Sequence, residues 1–155
     1  MFKDRINIAL CLIDEGADVN KLDFHDYSPL HYAAMWGWVE VMEALIEKGA
    51  SLEQINVVGD NVLLIACQYN HLNVVEFLCE HHPKTVGVNS RNAEGNTALF
   101  IAIENENVDI CECLLAYEAD VNMVNYAKKT PLKLACKAQN TEIAHMLLDF
   151  KCQRR

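Results

Sequence analysis

The hexapeptide Ser28-Pro29-Leu30-His31-Tyr32-Ala33 decides the fold, because near-copies of it return along the chain. These copies are Asn61-Val62-Leu63-Leu64-Ile65-Ala66, Thr97-Ala98-Leu99-Phe100-Ile101-Ala102 and Thr130-Pro131-Leu132-Lys133-Leu134-Ala135. Their shared leucine recurs in steps of 33, 36 and 33 residues, and a turn near Pro83 to Val86 can absorb the three extra residues. A nearly fixed period of this length predicts stacked structural repeats.

A second set of segments keeps the same register. Gly16-Ala17-Asp18-Val19-Asn20 recurs as Gly49-Ala50-Ser51-Leu52-Glu53 and as Glu118-Ala119-Asp120-Val121-Asn122. Together the two sets resemble the ankyrin repeat, whose signature Thr-Pro-Leu-His-x-Ala is nearly matched by residues 28–33. The resemblance implies an all-α solenoid of stacked helix-turn-helix units with β-hairpin-like fingers between them.

The resemblance covers almost the whole chain and predicts a single ankyrin-repeat domain over residues 1–155. The predicted units are a half repeat at 1–22 and repeats at 23–55, 56–91, 92–124 and 125–155. The half repeat has room for a second helix only, and the apolar residues Met146, Leu148 and Phe150 make the last helix a poor polar cap. We therefore expect the chain to be part of a longer array or of a multidomain protein.

Local sequence signals independently favour two short helices in a unit. Ser28 can cap a helix that begins at Pro29 and stops at Gly37, and apolar residues at helical spacing follow over residues 39–46. Gly49 then falls where a left-handed residue can end the second helix. Helices this short are not stable alone, so burial against neighbouring units must stabilise them.

The composition describes an acidic chain of 155 residues, 52% apolar and 23% charged, with a formal net charge of -9. No apolar stretch is long enough to span a membrane, and the charged start of the chain is unlike a signal peptide. The acidic balance disfavours nucleic acid as a partner. An odd count of seven cysteines argues against a complete disulfide framework, and it favours a reducing compartment, either cytoplasmic or nuclear.

The sequence shows no catalytic, cofactor-binding or metal-binding pattern. Every cysteine occupies a repeat position that other units fill with apolar residues, which predicts buried structural thiols. The pair His81-His82 lacks a third and fourth metal ligand nearby in the sequence. Carboxylates fall in repeating helix columns that are typical of solvated faces, and no phosphate loop or nucleophile elbow occurs. We therefore predict a chain that is not an enzyme and that takes no cofactor or metal.

A partner would bind where the units differ, on the concave surface formed by fingers and first helices. The resemblance places thirteen candidates at exposed positions there: Phe24, His25, Tyr27, Met35, Trp36, Val58, Asp60, Gln68, Tyr69, Glu94, Asn96, Glu104 and Tyr126. Their large aromatic rings are not required by the periodic core, and such rings dominate interface energies. For each ring, packing against a neighbouring finger is the alternative. Gly59 and Gly95 fall where the turn of a finger needs a positive φ.

Charge is distributed unevenly along the chain. Residues 1–127 carry 6 basic and 20 acidic side chains (-14), whereas residues 128–155 carry 7 and 2 (+5). We therefore expect a partner polypeptide with aromatic or apolar anchors near Trp36 and Tyr69, and with basic groups that face the acidic candidates.

The sequence thus predicts a noncatalytic protein–protein interaction module, a scaffold element that is monomeric in isolation. A second hypothesis is a regulatory or substrate-recruiting arm of a larger multidomain enzyme or membrane protein. A third is that Asn20, Asn89 and Asn122, which share a recurrent Val-Asn position, are hydroxylation substrates.

Overall fold

A computed structural model describes residues 2–153, which form ten α-helices and no strand. The helices are α1 (Phe2–Asp14), α2 (Pro29–Trp36), α3 (Val39–Glu47), α4 (Val62–Gln68), α5 (Leu72–His81), α6 (Pro83–Val86), α7 (Ala98–Glu104), α8 (Val108–Ala116), α9 (Pro131–Lys137) and α10 (Thr141–Gln153). Within that part of the chain, every helix is too short or too polar to cross a bilayer. Met1, Arg154 and Arg155, at the ends of the predicted domain, lie outside the described residues.

The helices form two rows, because successive units contribute a short first helix and then a second helix. In the first row α2 packs on α4, α4 on α7 and α7 on α9. In the second row α1 packs on α3, α3 on α5, α5 on α8 and α8 on α10. The core runs along the array as a series of interfaces shared by neighbouring units. The prediction of an all-α repeat solenoid is confirmed.

First helices begin where the sequence predicts, because side chains pair with otherwise orphaned backbone donors. Ser28 Oγ accepts a hydrogen bond from the His31 N–H at 3.4 Å, and the His31 ring accepts one from the Ser28 N–H at 3.2 Å. Thr130 Oγ1 caps α9 in the same way, accepting from the Lys133 N–H at 3.2 Å. These caps fix the starts of α2 and α9 next to a finger, whereas Thr97 makes no such side-chain bond at the start of α7.

The three extra residues of the long repeat fall at the four-residue helical turn α6, where the sequence predicts a turn. His82 has a φ of -132°, whereas Gly49 at the equivalent position has a φ of +90°, so the chain does not reverse at His82. Pro83 then starts α6. Val86 is buried at its end, and its carbonyl accepts a hydrogen bond from Asn61 Nδ2 at 2.8 Å.

Burial of the cysteines depends on position in the array as well as on the repeat column. Cys67, Cys79 and Cys111 are buried as predicted, and burial raises the pKa of Cys111 to about 12. Cys113 is half-buried. The prediction of buried thiols is wrong for three exposed residues, Cys11, Cys136 and Cys152. These three lie in the first and last units, where no further unit of the described chain covers them.

Candidate functional site

The finger loops that connect successive units share one local design. Asp23 Oδ1 accepts hydrogen bonds from the backbone N–H groups of His25 and Tyr27, each at 2.9 Å. Asn56 and Asn92 make the equivalent pair of bonds in the next two fingers. Asp and Asn suit this position because their short side chains bond the backbone two residues on. In these three fingers the loop is therefore held by a side chain of its own sequence, and in the fourth Asn125 Oδ1 accepts only from the Lys129 N–H, at 3.0 Å.

Neighbouring fingers are joined to one another by backbone hydrogen bonds. Gly59 and Gly95 have the predicted positive φ values, +80° and +77°. A Cβ atom on either glycine would lie 2.9 Å from a backbone nitrogen of the next finger, so the close approach excludes a side chain. The inter-finger bonds run from Val57 N–H to His25 C=O, from Ala93 N–H to Val58 C=O and from Tyr126 N–H to Glu94 C=O, at 3.1, 3.0 and 3.1 Å.

Asp60, one of the sequence candidates, is buried between fingers and is only 2% exposed. Its Oδ1 accepts a hydrogen bond from Asn92 Nδ2 at 2.9 Å, and its Oδ2 accepts one from Gln68 Nε2 at 2.8 Å. The Asp60 carbonyl also accepts from His31 Nε2 at 3.3 Å. The expectation that Asp60 is exposed is wrong, because its carboxylate bridges two fingers and a first helix.

Asn96 takes the same structural place one unit later, and the expectation of its exposure is also wrong. Asn96 is 6% exposed. Its Oδ1 accepts a hydrogen bond from Asn125 Nδ2 at 2.8 Å, and its Nδ2 donates one to Glu94 Oε2 at 3.0 Å. In the first finger, Tyr27 stands at this position. Asn56 Nδ2 would need a side-chain acceptor at residue 27 to make the equivalent bond. It is buried without a partner in the described chain. The bridging bond is therefore missing between the first two fingers.

The other eleven candidates lie at or near the surface. Phe24 is fully exposed at a finger tip, where Tyr126 is 68% exposed. Trp36 and Tyr69 are each 48% exposed at the ends of α2 and α4, and the Trp36 ring stacks on Trp38 with centroids 6.3 Å apart. The half-buried candidates are Tyr27 and Met35. The remaining exposed candidates are His25, Val58, Gln68, Glu94 and Glu104.

Ten of these eleven residues, all but Tyr27, fall into two groups. The finger stripe consists of exposed tip residues linked by the inter-finger backbone bonds: Phe24, His25, Val57, Val58, Glu94 and Tyr126. The helix stripe lies at the ends of the consecutively packed helices α2, α4 and α7: Met35, Trp36, Gln68, Tyr69 and Glu104. The repeat pattern does not indicate that apolar residues of α1 are exposed. Ile8 and Leu12 are 60% and 57% exposed, although their repeat columns are apolar core positions in the other units.

Hydrogen bonding fixes the charge state of the first finger. The Tyr32 hydroxyl donates to Asp23 Oδ2 at 2.6 Å. This bond, with those from the backbone N–H groups of Tyr27 and His25, lowers the pKa of Asp23 and keeps its carboxylate charged. Among residues 2–153, no three His, Cys, Asp or Glu side chains are grouped as metal ligands would be.

Two-helix units stacked in register, with finger loops hydrogen-bonded in a row, define a repeat protein with an extended surface. The chain belongs to the ankyrin repeat family, because the family model described as "Ankyrin repeats (3 copies)" matches residues 1–89 and 83–154. Members of this family are generally protein–protein interaction modules and generally not enzymes.

Similar proteins come from distant organisms. The chain is 34% identical over 141 residues to the nuclear factor NF-kappa-B p105 subunit of Gallus gallus, covering 88% of this chain and 14% of that protein. It is 30% identical over 142 residues to the putative ankyrin repeat protein YahD of Escherichia coli, covering 88% and 70%. Alpha-latrocrustotoxin-Lt1a of Latrodectus tredecimguttatus is 32% identical over 133 residues, and the chain spans only 9% of its length.

Proposed function

We propose that this chain is a noncatalytic scaffold module that binds a partner polypeptide along the finger stripe and the helix stripe. The observation that carries the proposal is the row of exposed apolar and aromatic side chains on a backbone that inter-finger hydrogen bonds hold in place. Contiguous exposed apolar surface of this kind is typical of interaction sites, and large rings on a fixed backbone supply most of the binding energy. The module acts as a monomer.

Trp36 and Tyr69 are the proposed anchors of the site. They lie at the ends of two helices that pack together, and each presents about half of its surface to solvent. The Trp36 ring is already held by stacking, so binding immobilises little that was free before. Glu94 and Glu104, both exposed, suit basic groups of the partner and would mainly set its orientation. Asp60 is left out, because its buried carboxylate is already bonded within the fold.

Affinity capture with matched variants tests this placement. The double variant Trp36→Ala/Tyr69→Ala is compared with wild type and with Leu148→Ala, which removes an exposed apolar side chain from α10, away from both stripes. We expect proteins captured by wild type and by Leu148→Ala to be lost from the double variant. The thermal unfolding midpoint should stay close to that of wild type, because both rings are half exposed. Retention of the same proteins by the double variant would contradict the placement of the anchors.

The second candidate function is a regulatory or substrate-recruiting arm of a larger multidomain enzyme or membrane protein. The chain spans 9% and 14% of the first two relatives, so arrays like this one occur within much longer proteins. The full-length open reading frame distinguishes the two: a catalytic or membrane domain beyond these 155 residues favours the arm, and its absence favours the free-standing module.

Two finer proposals concern location and modification. The seven free cysteines favour a reducing compartment, cytoplasm or nucleus, which fluorescence microscopy of the tagged protein would check.

Hydroxylation at Asn20, Asn89 or Asn122 would add one oxygen to the mass. The Asn20 amide donates to the Gly49 carbonyl at 3.0 Å and Asn89 bonds the next unit similarly, so both must open before they can enter an enzyme. Intact-mass analysis of protein from its native cell would detect or exclude the added oxygen.

A further inference from the structure

Two cysteines meet where neighbouring second helices pack together in the middle of the array. Cys79 lies on α5 and Cys113 on α8, and the two thiols share a hydrogen bond. Cys79 is fully buried, whereas Cys113 is half-buried. The finger stripe and the helix stripe consist of finger residues and first-helix residues. The cysteine pair belongs to the row of second helices, so it is separate from the proposed binding surface.

Comparison along the repeat columns shows that packing does not require a thiol at either position. The equivalent pairs at the other unit junctions of the described chain are apolar and differ in size: Ile13 with Ala44, Ile46 with Phe77, and Leu115 with Met146. At the junction between α5 and α8 both positions are cysteines. Two thiols in contact can do what these apolar pairs cannot, which is to form a covalent bond.

Cys113 is open to small molecules through a groove between the two helices. The groove has a volume of about 770 Å³, and Cys113 is part of its lining. The lining also carries the carboxylates of Glu76, Glu80, Asp109 and Glu112. This concentration of negative charge repels anionic oxidants such as glutathione disulfide. Hydrogen peroxide is neutral and little larger than water, so it can approach the Cys113 sulfur.

The hydrogen bond between the thiols gives them different roles. The Cys79 S–H donates to the Cys113 sulfur, and this bond lowers the pKa of Cys113 although burial and the charge of Glu76 act in the opposite direction. The same bond, together with burial, raises the pKa of Cys79. Because the thiolate is the reactive form of cysteine, Cys113 reacts first and Cys79 second.

We propose that Cys113 and Cys79 form a reversible disulfide, which ties α5 to α8, when the protein meets hydrogen peroxide. The Cys113 thiolate attacks one peroxide oxygen, so that an S–O bond forms, the O–O bond breaks, and hydroxide leaves and is protonated to water. The Cys79 sulfur then attacks the sulfur of the Cys113 sulfenic acid. The S–S bond forms, the S–O bond breaks, and the departing hydroxide takes the Cys79 proton. Two thiols are oxidised and one peroxide is reduced to two waters. Thiol exchange with glutathione reverses the reaction, as suits a redox-sensing disulfide in a reducing compartment.

Peptide mapping of the oxidised protein tests the proposal directly. The protein is treated with equimolar hydrogen peroxide at neutral pH, its free thiols are blocked with N-ethylmaleimide, and it is cleaved after glutamate without reduction. This cleavage places each of the seven cysteines in a peptide of its own, with Cys79 in 77–80 and Cys113 in 113–118. We expect these two peptides to be linked, with a loss of two hydrogen atoms in mass, and dithiothreitol to separate them.

Matched variants separate the two roles. In Cys79→Ala the sulfenic acid cannot be resolved, so dimedone should label peptide 113–118. In Cys113→Ala, peptide 77–80 should stay unlabelled. Cys136→Ala is the control, because it removes an exposed thiol from the last unit and should leave the disulfide unchanged.

Three results would overturn the proposal. The first is oxidation of Cys136 before Cys113 in wild type, which would mean that exposure alone sets reactivity. The second is a link from Cys113 to any cysteine other than Cys79, or no link at all. The third is the same dominant link in protein unfolded in urea, where the fold no longer holds the two thiols together.

Discussion

The close contact between Gly37 and His71 offers a sharp test of how neighbouring units fit together. Gly37 ends α2 with a φ of +72°, and a Cβ atom there would lie 2.6 Å from His71 Nδ1. The His71 ring is held in this place because its Nε2 donates a hydrogen bond to the Met35 carbonyl at 2.9 Å. Replacing Gly37 by alanine must therefore strain the backbone and displace the imidazole ring together.

Backbone conformation alone does not require glycine at this position. Asn70, Glu106 and Gln139 stand at the equivalent positions of the later units, with φ values of +59°, +54° and +58°. His71 belongs to the unit after Gly37, and the smaller Asn107 takes the same place relative to Asn70. The Asn107 side chain donates a hydrogen bond to Asn70 Oδ1 at 3.3 Å. The size of His71 is therefore what excludes a side chain at residue 37.

The expected magnitude follows from these two costs. A left-handed alanine costs about 1–2 kcal/mol. Displacing the His71 ring breaks its hydrogen bond, at about 1 kcal/mol. We expect Gly37→Ala to lower the free energy of unfolding by about 2–3 kcal/mol in urea titrations followed by circular dichroism. Gly49→Ala is the control, because Gly49 has a φ of +90° but nothing within 4 Å of its added Cβ, so it should show the backbone cost alone.

A double-mutant cycle separates the two costs. In a His71→Asn background, Gly37→Ala should lose only the backbone cost, which gives a coupling energy of about 1 kcal/mol between residues 37 and 71. Equal losses for Gly37→Ala and Gly49→Ala, with no coupling in the cycle, would refute the steric explanation.

Burial sets the outcome of three other experiments. Leu45→Ala should lower the free energy of unfolding by about 3 kcal/mol and Leu12→Ala by less than about 1 kcal/mol, since Leu45 is buried and Leu12 is not. Equal losses for the two variants in urea titrations would contradict the exposure of Leu12 on α1. Burial lowers the pKa of His31, so the unfolded chain binds the proton more readily and stability should fall as the pH drops from about 6.5 through the folded-state pKa. His31→Gln should reduce this slope in a pH series of unfolding titrations, and an unchanged slope would exclude His31 as its source. In the native protein a colorimetric thiol reagent should label Cys11, Cys136 and Cys152 quickly, but Cys67 and Cys111 only after denaturation; fast labelling of all seven thiols would count against the described burial.

The proposed interaction surface was only partly predictable from sequence. Exposed rings such as Phe24 and Tyr126 could be located because they occupy finger positions that the core does not use. Asp60 and Asn96 could not be told apart from exposed finger residues, because their partners, Asn92 and Asn125, lie about one repeat away in the chain. A polar residue in a finger is exposed or buried according to what the next finger offers it.

The sequence by itself determined the period, the caps at Ser28 and Thr130, and the left-handed glycines of the fingers. These features depend on contacts within one unit or on a pattern that every unit repeats, so the chain encodes them locally. Only the tertiary structure decided whether a side chain in the first or the last unit is buried. Leu12 shares its column with buried leucines, and Cys136 shares its column with buried residues, yet both are exposed. The physical reason is that burial in a solenoid is supplied by the adjacent unit, and a repeat column does not say whether that unit is there.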